Sequence, residues 1–132
     1  MIHEEICTYE VCKLAKEKGF NKYEACNHIY EDDEQWHTLT TYTNAKGIDW
    51  SKDKFIAAPT QSLLQRWLRE EKGIHIEIVA TACGYFWIAD KTNGTAITDS
   101  DVLDRGTNEG GCWDEYELTF EDALKYALEN LV

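Results

Sequence analysis

Apolar residues recur at the helical period in three stretches of the chain and alternate with polar ones in two others. Val11, Leu14 and Ala15, with Cys12 beside them, make one face of a helix predicted over 8–18. Thr8 supplies its cap, Lys16 and Lys18 complement its C-terminal dipole, and Gly19 gives the left-handed stop. Between 25 and 43 the period changes. Cys26, His28 and Tyr30 alternate with Asn27 and Ile29, and the β-branched and aromatic run from Gln35 to Tyr42 follows the acidic Glu31-Asp32-Asp33-Glu34. This predicts a β-hairpin with an acidic turn. Asn21 with Glu24 resembles a capping box and offers a rival, a short helix over 22–30.

Residues 44–58 read as a connection, with turn signals at Asn44 and Gly47. Pro59 and Thr60 open a second helix whose stripe is Leu63, Leu64, Trp67 and Leu68, and Gly73 closes it. Ile74, Ile76 and Ile78 alternate with His75, Glu77 and Val79. Ala82-Cys83-Gly84 turns that strand back into Tyr85–Asp90, a second hairpin. The last helix carries Phe120, Ala123, Leu124, Ala127, Leu128 and Leu131 on one face, with Thr119 as its expected cap and Asp122 reaching back to it.

Residues 91–115 hold four glycines and six acids and read as a long acidic loop, with Thr95–Thr98 and Asp114–Leu118 as candidate short strands. The order is α-β-β-α-β-β-α, one α+β domain over 1–132. The two helix ends share a Lys-Gly stop followed by an apolar residue (Lys18-Gly19-Phe20 and Lys72-Gly73-Ile74), so two αββ units are a candidate duplication. The expected architecture is an antiparallel sheet of two hairpins with helices packed on one face.

Composition narrows the function. At 132 residues and 43% hydrophobic, the chain suits a globular domain. Its 13 Lys and Arg stand against 25 Asp and Glu, a net charge of -12, which argues against a direct nucleic-acid or anionic-membrane partner. The charge is uneven. Residues 99–132 hold ten acids and two bases, whereas 35–72 hold four acids and six bases. No apolar run reaches the roughly 18 residues of a membrane helix, and Met1-Ile2-His3-Glu4-Glu5 lacks the charged and apolar regions of a secretory signal. The expected setting is cytoplasmic, and the five cysteines read as free, buried thiols.

Three stretches carry a resemblance: Glu10-Val11-Cys12-Lys13-Leu14-Ala15-Lys16-Glu17-Lys18-Gly19-Phe20, Ala58-Pro59-Thr60-Gln61-Ser62-Leu63-Leu64-Gln65-Arg66-Trp67-Leu68-Arg69-Glu70, and Thr119-Phe120-Glu121-Asp122-Ala123-Leu124. In this order the chain resembles a group of small uncharacterised proteins of Bacteroides-type gut bacteria, their phages and other mobile elements. The resemblance implies a bacterial or phage origin and a cytoplasmic setting. It transfers no residue role, and residues 91–115 depart from the shorter final connection of that group.

Candidate chemistry is sparse. Cys7, Cys12, Cys26 and His28 are four possible zinc ligands at an unusual spacing. Cys83 at a turn with His75 on the paired strand is the candidate for a thiol nucleophile and its base. Asp99, Asp101 and Asp104 before Gly106 imitate a calcium loop, but Leu103 falls where a ligand belongs. There is no P-loop, G-x-G-x-x-G, G-x-S-x-G or H-E-x-x-H. Among five tryptophans, Trp67 belongs to a helix stripe, Trp36 and Trp87 suit packing between sheet and helices, and Trp50 and Trp113 fall in connections where exposure is expected. The leading expectation is a non-catalytic module that binds a protein partner through Trp50, Trp113, Asp114 and Glu115, with no cofactor. One alternative is a metal-binding protein or small enzyme using Cys7, Cys12, Cys26 and His28. Another is a small-ligand or carbohydrate binder using exposed tryptophan. An open antiparallel sheet also admits a homodimer.

Overall fold

The computed structural model describes residues 4–31, 35–39, 48–91 and 97–132. Asp32-Asp33-Glu34, Asn44, Gly47 and Thr95, named above as turn or strand signals, lie outside the described residues. The chain divides into two compact units, Met1–Leu63 and Leu64–Val132.

In the first unit Thr8 caps α1 (Tyr9–Glu17), its hydroxyl accepting from the Val11 amide at 3.4 Å. Gly19 adopts φ +97°, and the Phe20 amide returns to the Ala15 carbonyl at 2.9 Å, which lets buried Phe20 fold under the helix end. Both readings of the next segment have a counterpart. A single 3-10 turn spans Tyr23–Ala25, and the chain then extends into β1 (His28–Glu31). β1 pairs antiparallel with β2 (Trp36–Thr38) and with β3 (Phe55–Ala57). Val11, Cys12, Ala15, Ile29, Tyr30 and Ile56 are buried, and Tyr9 stands edge-on to Tyr30 at 5.4 Å.

α2 (Gln61–Lys72) opens where Thr60 Oγ1 accepts from the Leu63 amide, and Leu64, Trp67 and Leu68 are buried as the stripe requires. In the second unit Gly73 (φ +66°) turns the chain into β4 (Ile74–Thr81), which pairs along its length with β5 (Gly84–Lys91), and β5 pairs in turn with β6 (Ile97–Asp99). α3 (Tyr116–Asn130) packs on β4 and β5 through Phe120, Ala123, Leu124, Ala127 and Leu128, all buried.

The fold is therefore mixed α+β, with antiparallel sheets and helices packed on them. The hairpins lie in two three-stranded sheets, ordered β2-β1-β3 and β4-β5-β6, rather than in a shared one. The third strand of each sheet is recruited from a neighbouring connection. Its amides and carbonyls satisfy the second edge of β1 or β5, the role the other hairpin was expected to fill.

Two expectations at the C-terminal end are corrected. Asp114–Leu118 forms no strand, and Thr119 does not cap the helix. Glu115 occupies the cap position, while Thr119 lies fully buried one turn inside and donates its hydroxyl to the Glu115 carbonyl at 2.8 Å. The cause lies just upstream. Trp113 and Tyr85 exchange two backbone hydrogen bonds, of 2.8 and 2.9 Å, so the chain leaves β5 at Asp114 already aimed along the sheet.

Candidate functional site

The acidic segment after β6 is built from its small and charged residues upward. Ser100 is fully buried. Its hydroxyl accepts from the Trp87 amide at 3.1 Å and donates to the Gly111 carbonyl at 2.6 Å. Gly111 has φ +69°, and a Cβ there would run into the Asp101 backbone, so two strands of loop touch where only glycine fits. Asp99 takes the Val102 amide onto Oδ1 at 2.7 Å, closing a turn. Two aspartates of the calcium-like spacing are thus parts of backbone turns, with Asp104 itself at φ +53° and its amide on the Asp101 carbonyl.

Asp122 has a role that spacing alone assigned to helix capping. Its Oδ2 receives the Trp87 indole at 2.9 Å and Arg105 Nε at 2.7 Å, and its Oδ1 receives Arg105 Nη2 at 2.7 Å. Arg105 also lies over the Tyr126 ring, and Tyr126 sits beside Trp87 at 5.2 Å between centroids. Donating to Asp122 pushes the guanidinium pKa further up, so Arg105 is charged throughout the working pH range. This network clamps the loop to α3 and β5. Sequence reasoning missed it because Arg105 and Asp122 are 17 positions apart, beyond any local signature.

The candidate metal ligands do not assemble. Cys12 donates to the Cys7 carbonyl and Cys26 to the Lys22 carbonyl, both at 3.5 Å. Burial, with Cys12 and Glu24 adding, pushes the Cys26 thiol up to about 12, away from the thiolate that zinc needs. His28 instead sets its ring edge-on to Trp36 at 4.5 Å, and burial lowers its pKa. Among the described residues no group of three or more His, Cys, Asp or Glu side chains has a metal-holding arrangement. His75 and Cys83 are not a catalytic pair either. His75 is opposite Asp90, while Cys83 occupies the exposed turn at the other end of β4, on the order of 20 Å away along the strand.

The tryptophans are redistributed. Trp113 is buried against β5, not exposed. Trp50 is half-buried and stacked on Tyr23 at 4.6 Å. Trp36 is the exposed one, 44% accessible on β2, where packing under a helix was expected. It lines an open cleft of about 430 Å³ with Glu4, Glu5, Ile6 and His28. Asp114 and Glu115 are exposed as predicted, with Asp114 accepting from Asn108 Nδ2 at 2.7 Å. Beside them, at the start of α3, Tyr116 and Leu118 are also exposed. Tyr116 is held edge-on to Tyr85 and Phe120.

No protein-family model matches the chain, and no curated protein or solved structure matches it either. No helix of the described residues is long and apolar enough to cross a membrane.

Proposed function

We propose that the protein is a non-catalytic interaction module of a phage or mobile element, acting in the cytoplasm on a protein partner. The observation that carries this reading is the start of α3, where Tyr116 and Leu118 stand exposed between the carboxylates of Asp114, Glu115 and Glu117. Exposed aromatic and aliphatic side chains ringed by charge are the anatomy of a docking surface, with the apolar groups as anchors and the acids as rim. The charge of 99–132 favours a partner with a basic surface. Tyr116 is already restrained by two ring contacts, so little rotamer freedom remains to be lost on binding. The resemblance to proteins of Bacteroides-type bacteria and their mobile elements supports the setting.

The test is affinity capture with the wild-type chain and with a Tyr116→Ser/Leu118→Ser variant, followed by binding of the purified pair. A host protein bound by the wild type and released by the variant supports the reading. Equal retention by both overturns this surface as the docking site. A native mass spectrum of the same preparation reads the metal alternative: one zinc per chain would return Cys7, Cys12, Cys26 and His28 to the centre of the account.

A further inference from the structure

The cleft at Trp36 joins an exposed indole to carboxylates, with no lysine or arginine among the described residues of its lining. Trp36 projects from β2, is braced by the His28 ring and remains 44% accessible. Glu4 and Glu5 precede α1, and their backbone is fixed beside the start of α2, where the Glu5 carbonyl accepts the Gln61 amide at 2.9 Å. Glu4 Oε1 takes the Ser62 hydroxyl at 2.9 Å, which orients that carboxylate. The Glu5 carboxylate has no hydrogen-bond or ion-pair partner among the described residues and is exposed. Among the described lining residues His28 is the one able to carry positive charge, and burial favours its neutral form at neutral pH. Ile6 adds an apolar wall.

An indole face, two carboxylates and an apolar wall are complementary to one kind of group, a cation on an aliphatic stem. The carboxylates attract the charge, the indole face stabilises it through its quadrupole, and Ile6 receives the methylenes. We propose that this cleft binds the lysine or arginine side chain of a basic peptide segment. That the cation is carried by a protein rests on the interaction reading above. The cleft itself shares no described lining residue with the surface at α3, its described lining being residues of the first unit.

The experiment follows the five tryptophan indole resonances by NMR in the full chain, with Trp36 assigned from its loss in Trp36→Phe. The probes are acetyl-trilysine amide, acetyl-triarginine amide, acetyl-triglutamine amide and spermidine. The expected result is a saturable shift of the Trp36 resonance with both cationic peptides and none with the glutamine peptide. In Glu4→Gln/Glu5→Gln, which keeps the shape and the Ser62 contact, the affinity falls about threefold to tenfold. The other four resonances report that each variant is folded. A Trp36 signal that does not move, that moves linearly, or that responds equally to the glutamine peptide overturns the site. So does an unchanged affinity in the double variant. Tighter binding of spermidine than of either peptide overturns the peptide as ligand. Failure here with retained capture through Tyr116 and Leu118 separates this inference from the proposed function.

Discussion

The Trp87 indole and the Asp122 carboxylate are joined across 35 positions of sequence by a 2.9 Å hydrogen bond, and Arg105 completes the same carboxylate from a third element. One side chain on α3 thereby satisfies a donor from β5 and a donor pair from the acidic loop. Asp122→Ala leaves the buried indole and the partly covered guanidinium without their acceptor. The expected cost is about 2 kcal/mol, against about 1 kcal/mol for Arg105→Ala, which leaves the indole bond in place. Urea denaturation of the two variants checks the order. Equal stability of Asp122→Ala and wild type would remove the clamp from the account.

Ser100 gives a second prediction in the same loop. With both of its hydrogen bonds buried, Ser100→Ala strands the Trp87 amide and the Gly111 carbonyl. A loss of about 1–3 kcal/mol is expected, with faster amide exchange at Trp87. Gly111→Ala is expected to cost more than about 2 kcal/mol, because a positive φ and a backbone clash coincide there.

Thiol chemistry separates Cys83 from the rest. Cys83 is exposed in the β4–β5 turn, while Cys7, Cys12, Cys26 and Cys112 are buried. A disulfide reagent should titrate one thiol quickly in the native protein and all five only after unfolding. The Cys26 thiol, at about 12, stays protonated even at pH 9. Two or more fast thiols would contradict this burial.

His28 titrates below the ordinary 6.5 because burial disfavours its charged form. Between its folded midpoint and 6.5 the unfolded chain binds more protons than the native one, so stability falls as pH falls through that window. Above 6.5 both states are neutral at this site and the effect vanishes. An NMR titration of the His28 ring gives the midpoint directly, and a value at or above 6.5 would refute the assignment.

What the sequence made legible was local. The Thr8 cap, the Gly19 and Gly73 stops, the stripe of α2 and the Thr81–Gly84 turn all follow from periodicity and cap chemistry within a few residues. The position of α3 was readable too, although its start was four residues out. Pairings between distant segments were not readable. Trp113 was misplaced as exposed because its burial depends on Tyr85, and Trp36 as covered because nothing in its own stretch says which edge of the sheet it occupies. Of the candidate site, Asp114 and Glu115 were legible from charge and position. The Trp36 cleft was not, because it joins the segment before α1 to a strand some 30 positions on.

The pairing of Trp113 with Tyr85 also bears on how β5 comes to be an inner strand. β6 has three residues against the eight of β5, so by itself it would leave much of one β5 edge open. Ser100 donates its amide to the Trp87 carbonyl and Trp113 occupies Tyr85, so the acidic loop continues where β6 stops. On that side the backbone groups of Tyr85 and Trp87 are taken by the loop and those of Ile88–Asp90 by β6, so β5 itself is an inner strand. The loop thus serves as an extension of the short third strand as well as a connection between sheet and helix.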